Sequence, residues 1–240
     1  MLKIISFSSL IHRLKYIEPF LLSIKNQILK PDKIILNVDH KSEIFIKKNI
    51  FLIDLIKKYN VEILSSKHDL GPFMKLGPSY AKFKRNSIIV TADDDMLYPP
   101  EWFKGLYDFM MENSDTVVCY RGRKINNAIS YNQTELIQLP KKPIKVDIIT
   151  GVYGVAYNTN NLNSSILDIK KYNKEFLKAD DIWISYFLKK FNIIPMAIPF
   201  KSKIKSFIEY DMPGVKKLWY SNKIHPRNTN LMKKYLLNEK

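Results

Sequence analysis

The sequence predicts an α/β fold, a mixed and mostly parallel sheet flanked by helices. The first observation is that short apolar runs alternate with longer amphipathic segments, the pattern of strands covered by helices. The second is composition, because 46% hydrophobic and 12% aromatic residues suit a folded globular chain. The third is that no internal repeat or flexible linker divides the 240 residues, so one continuous domain is expected.

Strands and helices are predicted in strict alternation over the first half of the chain. The predicted strands are residues 2–8, 33–38, 61–65 and 87–92. The predicted helices are residues 16–29, 42–59 and 72–84, with a fourth beginning after Pro100. Ser42 is the predicted N-cap of the second helix, while Pro72 and Pro100 stand where a first helical turn tolerates proline.

The second half is less regular. Residues 121–145 are polar and rich in lysine, which predicts a loop or an excursion from the sheet. An apolar run and a glycine-bearing segment, 146-VDIIT-150 and 151-GVYGVAY-157, follow it. A helix is predicted at about residues 180–191 and a strand at 193–199.

The charge of the chain favours acidic partners. Its 39 Lys and Arg against 23 Asp and Glu give a formal net charge of +16, which suits nucleic acid, anionic lipid or phosphorylated substrates. A general compositional bias toward Lys, Ile and Asn explains the same excess.

Cysteine content and hydropathy indicate the compartment. The single cysteine, Cys119, excludes an intrachain disulfide framework and a zinc site built on several thiolates, and its apolar neighbours predict a buried thiol. The N-terminus lacks a signal-peptide layout, and no run of 18 or more apolar residues occurs. A cytoplasmic protein is expected, with the option of resting on a membrane surface.

Three consecutive aspartates follow a predicted buried strand in 88-IIVTADDDMLYPPEW-102. In an extended segment Asp93 and Asp95 would face the same side, a pair of carboxylates that suits Mg²⁺ or Mn²⁺. They stand at the carboxyl end of a strand, where open α/β sheets bind ligands. The alternative is that Asp94 or Asp95 caps the next turn while the others are solvated.

Glycine-rich phosphate loops are absent from the sequence. It contains neither a Walker A motif nor a G-x-G-x-x-G after the first predicted strand, and it has seven glycines in all. A nucleotide diphosphate would therefore be held by a metal ion and basic side chains.

Several segments, taken together and in order, resemble bacterial glycosyltransferases of the family 2 type. They are 4-IISFSSLIHR-13, 20-FLLSIKNQILKPDKIIL-36, 69-DLGPFMKL-76, 91-TADDDMLYP-99, 151-GVYGVAY-157 and 179-ADDIWISYFLKK-190. The resemblance implies the GT-A fold, a single nucleotide-diphospho-sugar-binding domain. It implies a nucleotide-binding half (1–95) and an acceptor and catalytic half (96–200), followed by a basic C-terminal extension (201–240).

The resemblance also implies which residues bind the donor. Asp93 would sit near the ribose, Asp95 would bind the Mn²⁺ or Mg²⁺ ion that bridges the diphosphate, and Asp39 would read a pyrimidine base, which favours UDP. The other implied nucleotide-binding residues are Ser6, Ser8, Asp69, Lys75 and Asp94. His225 is a further candidate metal ligand, since related folds sometimes use a C-terminal histidine.

The catalytic residues come from the later segments. Asp180 and Asp181 stand where the family has Glu-Asp, whose second member is the general base, so Asp181 is the predicted base and Asp180 the alternative. The other alternative is plain capping of the helix start, which would explain one of the two acids. Gly151 and Gly154 would belong to the loop under donor sugar and acceptor. Trp183 could stack on a sugar, although its helical apolar stripe favours core packing.

The implied reaction moves a sugar, as in a hexosyltransferase, from a nucleotide-diphospho-sugar to a hydroxyl of a saccharide or lipid-linked acceptor, with inversion, in cell-surface polysaccharide or oligosaccharide synthesis. A sugar-phosphate nucleotidylyltransferase is one alternative, but 6-SFSSLIHR-13 lacks the glycines of its first loop. A nucleic-acid-binding module is another, carried by 215-VKKLWYSNKIHPR-227. It would leave the acidic cluster without a purpose, so no nucleic acid partner is expected.

The basic C-terminus has two interpretations. Residues 230-NLMKKYLLNEK-240 read as a short amphipathic helix that, with 201-KSKIK-205, could rest on an anionic membrane surface. The alternative is a solvated, lysine-rich tail that closes the domain.

Overall fold

The computed structural model describes residues 1–202, 207–213 and 226–237, which form an α/β fold around one large sheet. The strands are β1 (Leu2–Ser8), β2 (Lys33–Asp39), β3 (Val61–Ser66), β4 (Ser87–Asp93), β5 (Met96–Leu97), β6 (Val117–Cys119), β7 (Arg121–Lys124), β8 (Glu135–Gln138), β9 (Ile144–Lys145), β10 (Ile148–Ile149), β11 (Val155–Asn158), β12 (Pro195–Ala197) and β13 (Ile208–Glu209). The helices are α1 (Glu18–Lys25), α2 (His40–Lys47), α3 (Ile50–Lys58), α4 (Gly77–Lys82), α5 (Trp102–Glu112), α6 (Ile169–Tyr172), α7 (Asp180–Lys190) and α8 (Arg227–Leu231).

The large sheet has eight strands in the order β3-β2-β1-β4-β11-β6-β12-β9. The first four pair in parallel, and β6 pairs in parallel with β12. β11 is antiparallel to both of its neighbours, and β9 is antiparallel to β12. The predicted mixed, mostly parallel sheet is thus confirmed.

The reversed strand β11 shapes the functional edge of the sheet. Because β11 runs antiparallel to β4, with Val155 opposite Thr91, its amino end lies at the carboxyl end of β4. The loop at residues 151–154, which leads into β11, is therefore delivered to the edge at which the three aspartates stand.

Residues 121–145, predicted to be a loop or an excursion from the sheet, contain three short strands. β7 pairs with both β8 and β10 in a small antiparallel sheet, and β9 is the last strand of the large sheet. β7, β8 and β9 have two to four residues each and bury few of their side chains. A hydrophobic alternation cannot develop over such a short length, so the sequence gives no signal for them.

The predicted helix at 42–59 is two helices. The break lies at residues 48–49, where the Asn49 side chain accepts a hydrogen bond from the Leu52 amide and starts α3 anew. Ser42 is not the N-cap of α2, because Asp39 takes that position and its carboxylate accepts from the Ser42 amide. Asparagine and aspartate are both favoured caps, so the local chemistry is ordinary.

The other predicted helices differ mainly in length. Residues 72–84 form a 3₁₀-helix (Gly71–Lys75), with Pro72 in its first turn as expected, followed by α4. Pro100 precedes Glu101, the N-cap of α5, and so lies just outside that helix. The predicted helix at 180–191 is present as α7, and β12 is the strand predicted at 193–199.

Apolar side chains pack on both faces of the large sheet. On one face α7 and the chain around Phe73 cover the sheet, and on the other face α1, α3 and α5 do so. The largest fully buried side chains include Trp102 on α5 and Trp183 on α7. Cys119 is buried in β6 as predicted, and burial raises the pKa of its thiol to about 12.

The C-terminal helical segment packs into the core. Helix α8 continues as a π-turn over Met232–Leu236, and Leu231, Met232 and Leu236 are buried on the α7 side of the sheet. The apolar face that was expected to meet lipid is thus occupied by the protein itself. The remainder of the basic extension, residues 203–206, 214–225 and 238–240, lies outside the described residues. Among the residues that are described, no helix has the length and hydrophobicity to cross a bilayer.

Candidate active site

Polar side chains stand at the carboxyl ends of three adjacent strands. Ser8 ends β1 and is the register partner of Asp93 at the end of β4. Asp39 ends β2, the neighbour of β1 on the other side. This edge is the one at which open α/β sheets hold ligands.

The three aspartates do not form one extended segment, which corrects the expectation that Asp93 and Asp95 face the same side of a strand. β4 ends at Asp93, and Asp94 and Asp95 form a turn. The next two residues form β5, which leaves the large sheet and pairs with β13. We name residues 93–95 the acidic turn.

Arg13 forms ion pairs with two residues of the acidic turn. Its Nη2 lies 2.7 Å from Asp94 Oδ1 and 2.5 Å from Asp95 Oδ2. Asp94 is buried, and within the described residues its Oδ2 has no hydrogen-bond partner. Burial raises the pKa of Asp94 to about 7 and raises that of Asp95, although Arg13 acts in the opposite direction on both. Asp94 is therefore not a candidate for direct nucleotide contact.

Tyr210 holds the same turn from the C-terminal side. Its hydroxyl donates to the Asp94 carbonyl at 2.6 Å, and its amide donates to the Asp95 carbonyl at 2.9 Å. Neither Arg13 nor Tyr210 was identified from the sequence. Arg13 lies in one of the segments that carry the family resemblance, but nothing in its spacing indicates which acid it pairs with.

Lys75 joins the acidic turn to the start of α7. Its Nζ lies 2.9 Å from Asp93 Oδ1 and 3.8 Å from Asp180 Oδ2. Burial disfavours the charge on this ammonium, but Asp93, Asp180 and Asp181 outweigh burial and hold its pKa well above the ordinary value. The residue stays charged at neutral pH and links two distant acidic motifs.

A buried network fixes the backbone of Lys75. The Ser6 hydroxyl donates to the Lys75 carbonyl at 2.6 Å and accepts from the Asn37 amide group at 2.8 Å. Ser79 donates to Asn37 Oδ1 at 3.0 Å. Ser6 is fully buried, so it positions Lys75 and does not line a nucleotide pocket as expected. Ser8, two residues later, is half-buried at the edge and stays a candidate for that contact.

Asp180 and Asp181 are the first two residues of α7, and the N-cap is Ala179, which makes no side-chain capping bond. Both acids lie in the first turn, so a favourable interaction with the helix dipole stands beside the catalytic interpretation. Asp181 Oδ1 accepts from the Gly151 amide at 3.0 Å. Burial and the neighbouring Asp180 raise the pKa of Asp181 to about 7, and burial also raises the pKa of Asp180.

Gly151 and Gly154 leave room for two neighbouring side chains. A Cβ on Gly151 would collide with the ammonium of Lys75. Gly154 has φ +91° and faces the Trp102 ring, where an added Cβ would lie 2.7 Å from Cζ2. The Trp102 indole N–H donates to the Tyr153 carbonyl at 2.6 Å, which ties the loop at residues 151–154 to α5.

Among the described residues, the remaining candidate residues form their side-chain hydrogen bonds outside the acidic turn, Lys75 and the Asp180–Asp181 pair. Asp39 caps α2, and that bond to Ser42 lowers the pKa of its carboxyl. Asp69 is exposed and accepts from the Gly71 amide at 2.7 Å. Trp183 is fully buried and its indole donates to the Ile166 carbonyl, so it is a core residue and not a sugar platform. His225 lies outside the described residues.

The acidic turn offers carboxylate oxygens, the ligands that suit Mg²⁺ or Mn²⁺. Asp93 and Asp95 are hard oxygen ligands whose side chains are 24% and 21% exposed. No group of three or more His, Cys, Asp or Glu residues able to hold a metal occurs among the described residues. Mg²⁺ and Mn²⁺ suit such a site, because they are commonly held by one or two carboxylates and substrate phosphates.

Comparison with known proteins adds two findings. The model of the family described as "Glycosyl transferase family 2" matches residues 9–170, a range that contains Lys75, the acidic turn and the loop at 151–154. Among solved structures, the crystal structure of S. aureus TarS 1–349 is similar, with a TM-score of 0.50 and 14% sequence identity. The match covers 82% of this chain and 58% of that one, so it bears on the fold. No curated protein sequence matches the chain.

Proposed function

The chain belongs to glycosyl transferase family 2, and we propose that it transfers a sugar from a nucleotide-diphospho-sugar to a hydroxyl of a saccharide or lipid-linked acceptor. The observation that carries the proposal is the position of Lys75 between Asp93 and Asp180. One ammonium thereby joins the acidic turn, where a diphosphate would lie, to the pair of acids that contains the candidate base. The donor sugar and the acceptor hydroxyl can then be bound side by side at one edge of the sheet.

Asp181 is the group best suited to take a proton from the acceptor. It is half-buried at the start of α7, and the Gly151 amide fixes its orientation through Oδ1. A general base works best when its pKa is near the working pH, and the pKa of Asp181 is raised to about 7. Asp180 is more deeply buried and faces Lys75, so it acts as the neighbour that raises the pKa of Asp181.

The donor would lie across the ends of β1, β2 and β4. Ser8, Asp39 and Asp93 line this edge, and Asp39 favours a uracil base. Lys75 would contribute positive charge to the diphosphate, and exposed Asp69 flanks the same segment. Mn²⁺ or Mg²⁺ would be held by Asp95 and Asp93, with His225 a further candidate, and would neutralise the departing diphosphate.

The proposed step is a direct displacement. The acceptor hydroxyl gives its proton to Asp181 as its oxygen bonds to the anomeric carbon. The bond from that carbon to the diphosphate oxygen breaks, and the nucleoside diphosphate leaves with the electron pair. Attack from the face opposite the leaving group inverts the anomeric configuration. We assign the hexosyl transfer to cell-surface polysaccharide or oligosaccharide synthesis, at the cytoplasmic face of a membrane.

Calorimetric titration with UDP, GDP, CDP and dTDP, each with and without Mn²⁺, tests the donor side. We expect one nucleotide to bind with metal dependence and to lose that dependence in Asp95→Ala. In Asp181→Asn the same nucleotide should bind as in the unmodified protein, while sugar transfer falls about 10²–10⁴-fold, the contribution of a general base. A folded protein that binds none of the four nucleotides would contradict the proposal.

A further inference from the structure

Helices α2 and α3 meet at an apolar corner that the fold does not use. Ile44 and Phe45 near the end of α2 are exposed, and Ile50 and Phe51 at the start of α3 are 77% and 54% exposed. Four large apolar side chains thus face solvent within eight residues. We name residues 41–51 the α2–α3 corner.

The corner is additional to the apolar faces that pack the core. The buried residues of the two helices are Ser42, Ile46, Leu52 and Leu55. These residues and the half-buried Ile56 pack α2 and α3 against the core, whereas Ile44, Phe45, Ile50 and Phe51 are exposed. The C-terminal segment differs, because its apolar side chains Leu231, Met232 and Leu236 are buried in the core.

Lysine side chains surround the apolar corner. Lys41, Lys47 and Lys48 are all exposed beside it, and the opposite charges nearby are Glu43, which pairs with Lys47 at 2.7 Å, and Asp54, one turn beyond Ile50 on α3. Apolar residues bordered by lysines match the interface of an anionic bilayer, where apolar groups enter the acyl boundary and ammonium groups meet lipid phosphates. The net charge of +16 favours the same partner.

We propose that the α2–α3 corner docks the protein on an anionic lipid surface, with Ile50 and Phe51 entering the bilayer and Lys47 and Lys48 meeting the headgroups. The corner follows directly on the candidate active site, since Asp39, the N-cap of α2, stands on the carboxyl edge of the sheet. Ile44 comes five positions after Asp39, about 8 Å along the helix axis, and Ile50 and Phe51 lie farther along the chain, at the start of α3. Docking there would hold that edge near the lipid surface.

Flotation with vesicles tests the proposal on the full chain. One set of vesicles contains phosphatidylcholine alone, and the other contains equal parts of phosphatidylcholine and phosphatidylglycerol. We expect binding to the mixed vesicles, reduced at least about tenfold in Ile50→Ser/Phe51→Ser because two large apolar groups no longer insert. Lys47→Gln/Lys48→Gln should weaken binding by a similar factor and remove the preference for anionic lipid.

The matched control is Ile129→Ser/Leu136→Ser, which removes another exposed apolar pair, Ile129 in the loop before β8 and Leu136 on β8, 68% and 45% exposed. It should bind vesicles like the unmodified protein, and all variants should share its thermal unfolding midpoint because the replaced side chains are exposed. Absence of vesicle binding would overturn the proposal, as would binding that survives Ile50→Ser/Phe51→Ser. So would self-association abolished by that variant without any lipid binding, which would make the corner a contact between two copies.

Discussion

Asp181 carries a charge that the folded chain disfavours. Its pKa is raised to about 7 by burial and by Asp180, whereas an aspartate in an unfolded chain titrates near 4. The folded state therefore keeps its proton up to a higher pH than the unfolded state. Between these values the free energy of unfolding falls as pH rises, and the whole cost is present above about pH 7.

We expect Asp181→Asn to be more stable than the unmodified protein at pH 7.5, by more than about 1 kcal/mol, because the amide keeps the bond from Gly151 without the charge. The gain should shrink as pH falls and vanish near pH 4, where the carboxyl is protonated in both states. Urea unfolding at several pH values measures it. A variant that is less stable at pH 7.5 would contradict a raised pKa at this position.

The two loop glycines should respond differently to alanine. In Gly151→Ala the added Cβ displaces the flexible end of Lys75, so sugar transfer should fall while stability changes little. In Gly154→Ala the added Cβ would clash with the rigid Trp102 ring, and the backbone at φ +91° disfavours any residue with a Cβ. The free energy of unfolding should therefore fall by about 2 kcal/mol or more. Transfer assays and urea unfolding separate the two. Equal loss of stability would show that Lys75 cannot move.

Individual site residues could be predicted from the sequence only where a motif names them. Asp93, Asp180 and Asp181 fall in short, charged segments next to predictable elements, and the structure brings them together at one edge. Arg13 was not assigned a role and Ser6 was assigned to the nucleotide pocket instead of to Lys75, because the partners of both residues lie far along the chain. Their neighbours are decided by tertiary packing, which one sequence does not display.

Helix α1 is tied to the chain that follows the acidic turn. Gln27, just after α1, is fully buried and donates to the Tyr98 and Pro99 carbonyls at 3.3 and 2.9 Å, while its Oε1 accepts from the Phe103 amide at 2.9 Å. Ser23 accepts from the Tyr98 amide. The serine and glutamine of 23-SIKNQ-27 thus have a structural use, which is to set the start of α5 behind the acidic turn.

Gln27→Ala should lower the free energy of unfolding by about 3 kcal/mol, because it strands buried amide and carbonyl groups of the segment at 98–103. Leu22→Ala, on α1 but 47% exposed, is the matched control and should change it by no more than about 0.5 kcal/mol. Urea unfolding followed by circular dichroism compares them. If Gln27→Ala changed the free energy of unfolding as little as Leu22→Ala, water would have replaced the hydrogen bonds of the glutamine side chain.

Elements with a full apolar pattern were predictable and those without one were not. β1 and β4 have continuous buried runs and match their predicted bounds closely. The break between α2 and α3 was missed because apolar residues continue across it, although half of them face solvent. β7, β8 and β9 were missed because strands this short bury too few residues to leave a pattern.

The C-terminal segment completes the core at the scale of the whole molecule. Met232 is fully buried among residues of the α7 face, so Met232→Ala should cost about 2–5 kcal/mol of the free energy of unfolding. Leu237→Ala, one turn later and 36% exposed, should have little effect. Urea titration followed both by circular dichroism and by tryptophan fluorescence measures the change. A separate, low-stability transition for Met232→Ala would show that the segment unfolds independently.

The network beneath Lys75 has a consequence for the speed of the site. Ser6, Asn37 and Ser79 clamp the backbone at Lys75, while its ammonium rests between acids at the open edge. When a diphosphate arrives, Lys75 can change partners by rotating its side chain alone. Loop closures take microseconds to milliseconds, whereas this exchange of partners moves one side chain and leaves the backbone in place. Recharging this part of the site for each new donor therefore adds no loop-closure step to turnover.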